Sequence, residues 1–227
     1  MWQNELIFVS QAIIVISLGL VSAIRGIGWL TGWLGLLTVV MNVFVLKQIH
    51  LFNFEVTSGD VYMIGMLTCL NYAREIYGKK LVNDAIMGSW FINLGFLLLT
   101  YLHLALSPSF NDCTQVHFLS LFSPTLRLVL ASLVTIALVQ LIDLAFFVYL
   151  KKFFKNRAFG VRSAISMIVS QVIDTLLFSF LGLYGIASCL SDVIIFSLIT
   201  KIAIIIISIP TMFVVRFLKQ QYKVINN

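Results

Sequence analysis

Two short stretches of the chain repeat an amide and a carboxylate three residues apart: Gln140 with Asp143, and Gln171 with Asp174. Three residues is close to one helical turn, so each pair shares a helix face. Donor, acceptor and negative charge then stand at one height, which suits the edge of a polar heterocycle. Gln140-Leu-Ile-Asp143-Leu-Ala-Phe-Phe147 echoes Gln171-Val-Ile-Asp174-Thr-Leu-Leu-Phe178, and an arginine precedes each, Arg127 or Arg162. Successive helices run antiparallel, so a shared motif implies facing contributions to one site. Ser170 stands one position off that face. Lys201 lies mid-run among Ile and Ala, too deep to snorkel easily, and needs a carboxylate or a ligand. Asp174, at similar depth, is the expected partner.

The other polar residues in apolar surroundings are Asn42, Lys47, Asn71, Arg74, Glu75 and Arg127. An ionisable side chain at the middle of a bilayer costs about 2.5–3.5 kcal/mol on insertion scales, so those retained face a cavity or a partner. A single Gln is better read as glue between helices. Two copies of the pair with a buried lysine opposite weigh towards a binding site. Arg74 and Arg127 lie near span ends, where snorkelling is open to both and the better reading for Arg74.

The elements that must position these groups follow from composition. Of 227 residues, 60% are hydrophobic and 11% charged, with a mean hydropathy of +1.04. A soluble domain would be about half apolar and about a quarter charged. The expected fold is an all-α, polytopic membrane bundle forming one transmembrane domain over 1–227. A spanning helix needs about 20 mostly apolar residues. Such runs fall at about 5–24, 29–52, 60–77, 83–106, 125–150, 163–184 and 191–217. The third is interrupted by Asn71, Arg74 and Glu75, so the count is seven, with six plus a re-entrant segment as the alternative. Glu5 stands where a secretory signal would carry positive charge, so a removable signal is not expected. Pro210 should loosen the last span by removing a helical hydrogen bond. Trp29 and Trp33 read as interfacial anchors.

The net charge of +6 is spread along span ends, not gathered in a patch that would suit nucleic acid. Arg25, Lys79 and Lys80, the group Lys151, Lys152, Lys155, Arg157 and Arg162, and finally Arg216, Lys219 and Lys223 occupy alternate connections. The remaining connections carry Glu55 and Asp60, then Asp112, then Asp192, with Lys47 and His50 a modest exception. The positive-inside bias puts the N-terminus outside and the C-terminus in the cytoplasm. The stretch 107–123, with Pro108 and Asp112, reads as an outer loop between two halves.

No Walker A loop, HExxH or GxSxG is present, and His50, His103 and His117 are scattered. No catalytic residue, metal ligand or cofactor is assigned. Cys69, Cys113 and Cys189 lie far apart, giving neither a disulfide framework nor a zinc site, and Cys69 and Cys189 read as buried apolar residues.

Several segments taken in order carry a resemblance. Asn71-Tyr-Ala-Arg-Glu75-Ile-Tyr77-Gly78-Lys79-Lys80 follows the third run; upstream stand Asn42-Val-Phe-Val-Leu-Lys47 and a Thr57-Ser58-Gly59 turn. Downstream come Arg162, Ser166, Gln171-Val-Ile-Asp174-Thr175 and Phe178, then Lys201 and Pro210. Together, over about 42–217, these resemble the queuosine precursor transporter family, also called the vitamin uptake transporter family. The resemblance implies import of a 7-deazaguanine such as preQ0, preQ1 or queuine across a bacterial inner membrane for tRNA modification. It carries Glu75, Gln171 and Asp174 over as site residues; the family usually has an aspartate where this chain has Asn71. The candidate substrate-binding set is then Glu75, Gln171, Asp174, Gln140, Asp143, Asn71, Lys201, Arg127 and Asn42.

Partners are thus the small-molecule substrate and the lipid bilayer, with no nucleic acid and with a homo-oligomer left open. A capture subunit of an ATP-driven importer and an intramembrane enzyme without a recognisable motif are the alternative readings. Topology gives the first test. Single cysteines at Asp112 and Lys155, in a background without native cysteines, should react with an impermeant thiol reagent from opposite sides of the membrane. The same side for both would overturn the orientation.

Overall fold

In the computed structural model, residues 2–153 and 159–203 are described. Lys155, Arg157, Pro210 and the basic residues Arg216, Lys219 and Lys223 lie outside them. Six helices are described: α1 (Gln3–Arg25), α2 (Ile27–Phe44), α3 (Asp60–Tyr77), α4 (Lys79–Leu104), α5 (Gln115–Phe153) and α6 (Phe159–Phe178). A seventh, α7, is described over 190–203. Among the described residues, α1, α2, Lys80–Leu104 of α4 and Gln115–Thr135 of α5 are long and apolar enough to cross a membrane. On α1, Leu6, Ile7, Ile13, Ile14, Leu18, Val21 and Ile24 are all exposed. Water would not tolerate that face, so it belongs to lipid. The protein is a polytopic helical membrane protein.

Small residues let the helices approach, as expected where lipid supplies no hydrophobic drive for association. A Cβ on Gly65 of α3 would fall 2.0 Å from Val15 Cγ1 of α1, and one on Gly35 of α2 would fall 2.5 Å from Ile92 Cδ1 of α4. Beside the first contact, Cys69 is buried and its Sγ donates to the Gly19 carbonyl at 3.3 Å. Cys189 is only half-buried, with its Sγ 3.4 Å from Ser191 Oγ. Trp29 is exposed, with the Arg25 guanidinium 5.8 Å from its ring centre. Trp33 instead packs against the core of Ala23, Leu30, Leu34 and Cys69, away from the anchoring role expected of it.

The second run departs most from expectation. Its helix stops at Phe44, and the chain turns into an antiparallel hairpin of β1 (Gln48–Leu51) and β2 (Phe54–Thr57). Phe52 and Asn53 make the two-residue turn with φ of 47° and 67°, the left-handed geometry that hairpins of this length require. The hairpin has a core of its own. Leu51 and Val56 are fully buried with Phe8 of α1, Val61 of α3 and Phe196 of α7. Polar contacts fasten its rim: Phe52 N–H donates to Glu5 Oε1 (3.2 Å) and Asn4 Nδ2 to the His50 carbonyl (3.1 Å). The loop between α6 and α7 binds it too. Ser188 bonds to both Gln48 and Glu55, Gln48 Nε2 donates to the Ile186 carbonyl (3.0 Å), and Glu55 N–H donates to Asp192 Oδ2 (3.2 Å).

Two further differences bear on topology. The outer loop is shorter than expected, because α5 begins at Gln115 and runs straight through Pro124. Its 39 residues would reach about 58 Å at 1.5 Å per residue, nearly twice a hydrocarbon core of about 30 Å. A single crossing therefore accounts for only part of α5, near whose start Phe118 and Phe122 stack on each other and against His103 and Phe96 of α4. At the start of α5, Asp112 accepts from the Thr114 N–H (2.8 Å) and hydroxyl (2.6 Å), which hold its carboxyl below the usual range. The sixth run ends as a π-helical turn, Ser179–Leu183.

Candidate functional site: a polar cavity between the helices

A cavity of about 300 Å³ opens where α2 to α7 and the second strand meet. That lies at the lower end of volumes typical of small-molecule sites. Leu34, Met41, Met66, Leu70, Trp90 and Phe178 supply apolar wall. Hydroxyls line the rest: Thr38, Thr57, Ser89, Ser132, Thr135, Ser170, Thr175, Ser179 and Ser197. Among the described residues, Asp60, Asp174 and Lys201 are the charged groups that line it, and Gln171 is the amide.

Lys201 anchors the electrostatics. It is only 3% exposed, and its Nζ donates to Asp174 Oδ2 and to Thr175 Oγ1, both at 2.8 Å. Lys201 and Asp174 thus meet as their similar depth in the last two apolar runs implies. Spacing explains the second bond, since neighbouring residues 174 and 175 both face α7. Asp174 keeps 19% of its side chain exposed, so it meets the cavity as well as the lysine. Asp60, 8% exposed at the first turn of α3, lies on the hairpin side. Thr57 Oγ1 approaches its carboxylate at 3.5 Å, Ser197 bonds to it, and the Lys201 charge reaches it.

Among the described residues, two buried oxygens in the cavity wall have no hydrogen-bond partner: Thr135 Oγ1, on a residue 1% exposed, and Gln171 Oε1. An unsatisfied buried polar atom costs about 1–3 kcal/mol. Oxygens of this kind in a lined cavity are what a polar ligand would satisfy.

Not every expected residue comes to this place. Arg127 lies outside the cavity, where its Nε donates to the Leu181 carbonyl at 3.0 Å. The π-turn there leaves carbonyls without helical partners, and a guanidinium at a helix end satisfies one and complements the dipole. Asn42 is likewise outside: buried at 1%, its Nδ2 donates to Asn93 Oδ1 at 3.4 Å, an amide clasp between α2 and α4. Ser170 does line the cavity and is 7% exposed, so it is not the bystander its position beside Gln171 implied. Residues 170, 171, 174, 175, 178 and 179 all face inward, a broader stripe than one pair occupies. Asn71, Arg74 and Glu75 lie on α3, and Gln140 and Asp143 on α5, but their side chains fall outside the described residues. Sequence reasoning missed Asp60 and Thr135. Asp60 looked like loop charge, although Thr57-Ser-Gly-Asp60 has the spacing of a helix-start box that draws the carboxylate into the fold. Thr135 is one hydroxyl in an apolar run and carried no signal.

A helical membrane bundle with a lined central cavity and a buried ion pair is the build of a solute carrier. Residues 57–215 match the family model described as "Putative vitamin uptake transporter", and the chain belongs to that family. It is also similar to a protein of Bacillus subtilis (strain 168) described as "Probable queuosine precursor transporter". The two are 29% identical over 188 residues, covering 78% of this chain and 79% of the relative. No solved structure shows a significant match.

The ion pair generates a stability test. Lys201→Met leaves Asp174 without its cation, and breaking a buried pair costs about 3–5 kcal/mol. Adding Asp174→Leu should recover much of the lost thermal stability in detergent, because the orphaned charge is gone. Equal melting temperatures for wild type and the single variant would show that the pair carries no such energy.

Proposed function

We propose that this chain imports a queuosine precursor, a 7-deazaguanine such as preQ0, preQ1 or queuine, for tRNA modification. The observation that carries the reading is the pair of unpartnered oxygens, Thr135 Oγ1 and Gln171 Oε1, in the cavity beside the Asp174–Lys201 pair. The family match and the Bacillus subtilis relative support transport and this substrate class. A deazaguanine presents N1–H and the 2-amino group side by side, and a carboxylate accepts both. Asp174 takes that role. Gln171 and Thr135 complete the polar edge, and Trp90 or Phe178 offers a flat apolar wall. A site with dedicated polar partners rejects analogues that lack them, because its own buried groups would then go unpaired.

In this reading the whole chain, 1–227, is one domain of a bacterial inner membrane, with its N-terminus outside and its C-terminus in the cytoplasm. Ser132, Thr135 and Val139 of α5 line the cavity, and the same helical row continues to position 143. Asp143 is assigned to the site on that spacing, and Gln140 stays with it as the duplicated pair. Glu75 and Asn71, nearer the cytoplasmic end of α3, serve as a second contact or the inner gate. Arg127 and Asn42 support helices and do not touch substrate.

The test is uptake in cells unable to make queuosine, fed preQ0, preQ1 or queuine separately, with queuosine in tRNA as the readout. Asp174→Asn keeps the shape but removes the charge and sets an NH₂ against the donors of the substrate. The lost charged hydrogen bond alone corresponds to about 1.5–3 kcal/mol, or roughly one to two orders of magnitude in affinity. Uptake should fall accordingly, while Ser10→Ala on the outer face of α1 transports normally. Normal transport by Asp174→Asn would make that carboxylate structural and remove the proposed site.

A further inference from the structure

Among the described residues, the cavity wall holds more negative charge than its lysine balances. Among the described lining residues stand two carboxylates, Asp60 and Asp174, and one ammonium, Lys201. Lys201 is bonded directly to Asp174 at 2.8 Å, while Asp60 is engaged by the hydroxyls of Thr57 and Ser197. Hydroxyl donors stabilise the Asp60 carboxylate but bring no whole positive charge. A buried charge is retained only where something offsets its desolvation. Lys201 does so by direct contact for Asp174, and its one charge also reaches Asp60, so two carboxylates share a single described cation. Thr57 of the hairpin lines the cavity close to Asp60, and a ligand that is itself positive would complete the charge balance.

On the proposed reading of the cavity, we infer that Asp60 receives a protonated amine on the 7-substituent of the substrate, making this a carrier for cationic 7-deazaguanines in preference to neutral ones. The molecular layout agrees. The N1–H and 2-amino edge, assigned to Asp174, and the 7-substituent lie on opposite sides of the fused rings. A ligand gripped at α6 thus directs its substituent away from Asp174, towards another wall of the cavity. Asp60 belongs to α3, not to α6, and lies beside the hairpin that closes the bundle. A charge-assisted hydrogen bond there would be one of the stronger contacts available to the ligand.

Two probes of one ring system separate the idea from its alternatives. PreQ1 carries an aminomethyl group, protonated at neutral pH, and preQ0 a neutral nitrile. Binding to the purified full-length protein in detergent, by calorimetry, should favour preQ1 over preQ0. Asp60→Asn should weaken preQ1 by about ten- to a hundredfold, the loss of one charged contact, and change preQ0 by no more than roughly twofold. Asp60→Glu, which keeps the charge, should restore part of the preference for preQ1. Equal affinity of the wild type for both probes would overturn the inference without any variant being needed. An equal loss of both in Asp60→Asn would overturn it too, assigning Asp60 to the scaffold or to ion coupling while leaving the importer reading in place. If the wild type binds neither probe and does not bind queuine, the importer reading fails first, and this inference with it.

Discussion

An ammonium group in the middle of a bilayer protein must be answered, and much of the inner architecture follows from how Lys201 is answered. Its partners, Asp174 and Thr175, come from one turn of α6, so the ion pair ties α6 to α7 at a fixed height. Replacing a buried pair with well-packed apolar residues is often neutral or stabilising, so stability alone is a poor reason to keep one. The position of this pair in the wall of a hydroxyl-lined cavity gives a better reason. A charge that is desolvated but reachable is poised to exchange one partner for another.

The hairpin is the second determinant. Through it, Phe196 of α7 closes on Phe54, Leu51 and Val56 as well as on Phe8 of α1. The same hairpin feeds directly into Thr57, Gly59 and Asp60 in the cavity wall. Its rim is held to the α6–α7 loop by Gln48, Glu55, Ser188 and Asp192, side chains whose bonds can be exchanged with water. The tight helix pairs α1 with α3 and α2 with α4 form the steadier wall behind it, set by Gly65 and Gly35.

How far the sequence disclosed this depends on the signal each residue sends. Apolar runs of spanning length fix helices well: α3 begins and ends where the run 60–77 does, and α1 differs by two residues at the start. The Asp174–Lys201 contact was legible because charge in hydrocarbon has few solutions. The hairpin was not, for two reasons. Its strands continue the apolar run of α2, and its turn, Phe52-Asn53, lacks the glycine that usually betrays left-handed geometry. Asp60 was misread because an acidic residue between two spans looks like loop charge until the hairpin folds it inward. Arg127 and Asn42, also polar groups in spans, do not line the cavity: one bonds to a carbonyl and the other to an amide of a neighbouring helix.

The central claim is that substrate sits against Asp174, with Thr135 and Gln171 completing its partners. A structure of the protein with preQ1 bound tests this most directly. The account predicts the deazaguanine ring inside the cavity, its N1–H and 2-amino group on the Asp174 carboxylate and its edge within hydrogen-bonding distance of Thr135 Oγ1 or Gln171 Oε1. A ring bound elsewhere, with the Asp174–Lys201 contact unchanged and the cavity free of ligand, would contradict it.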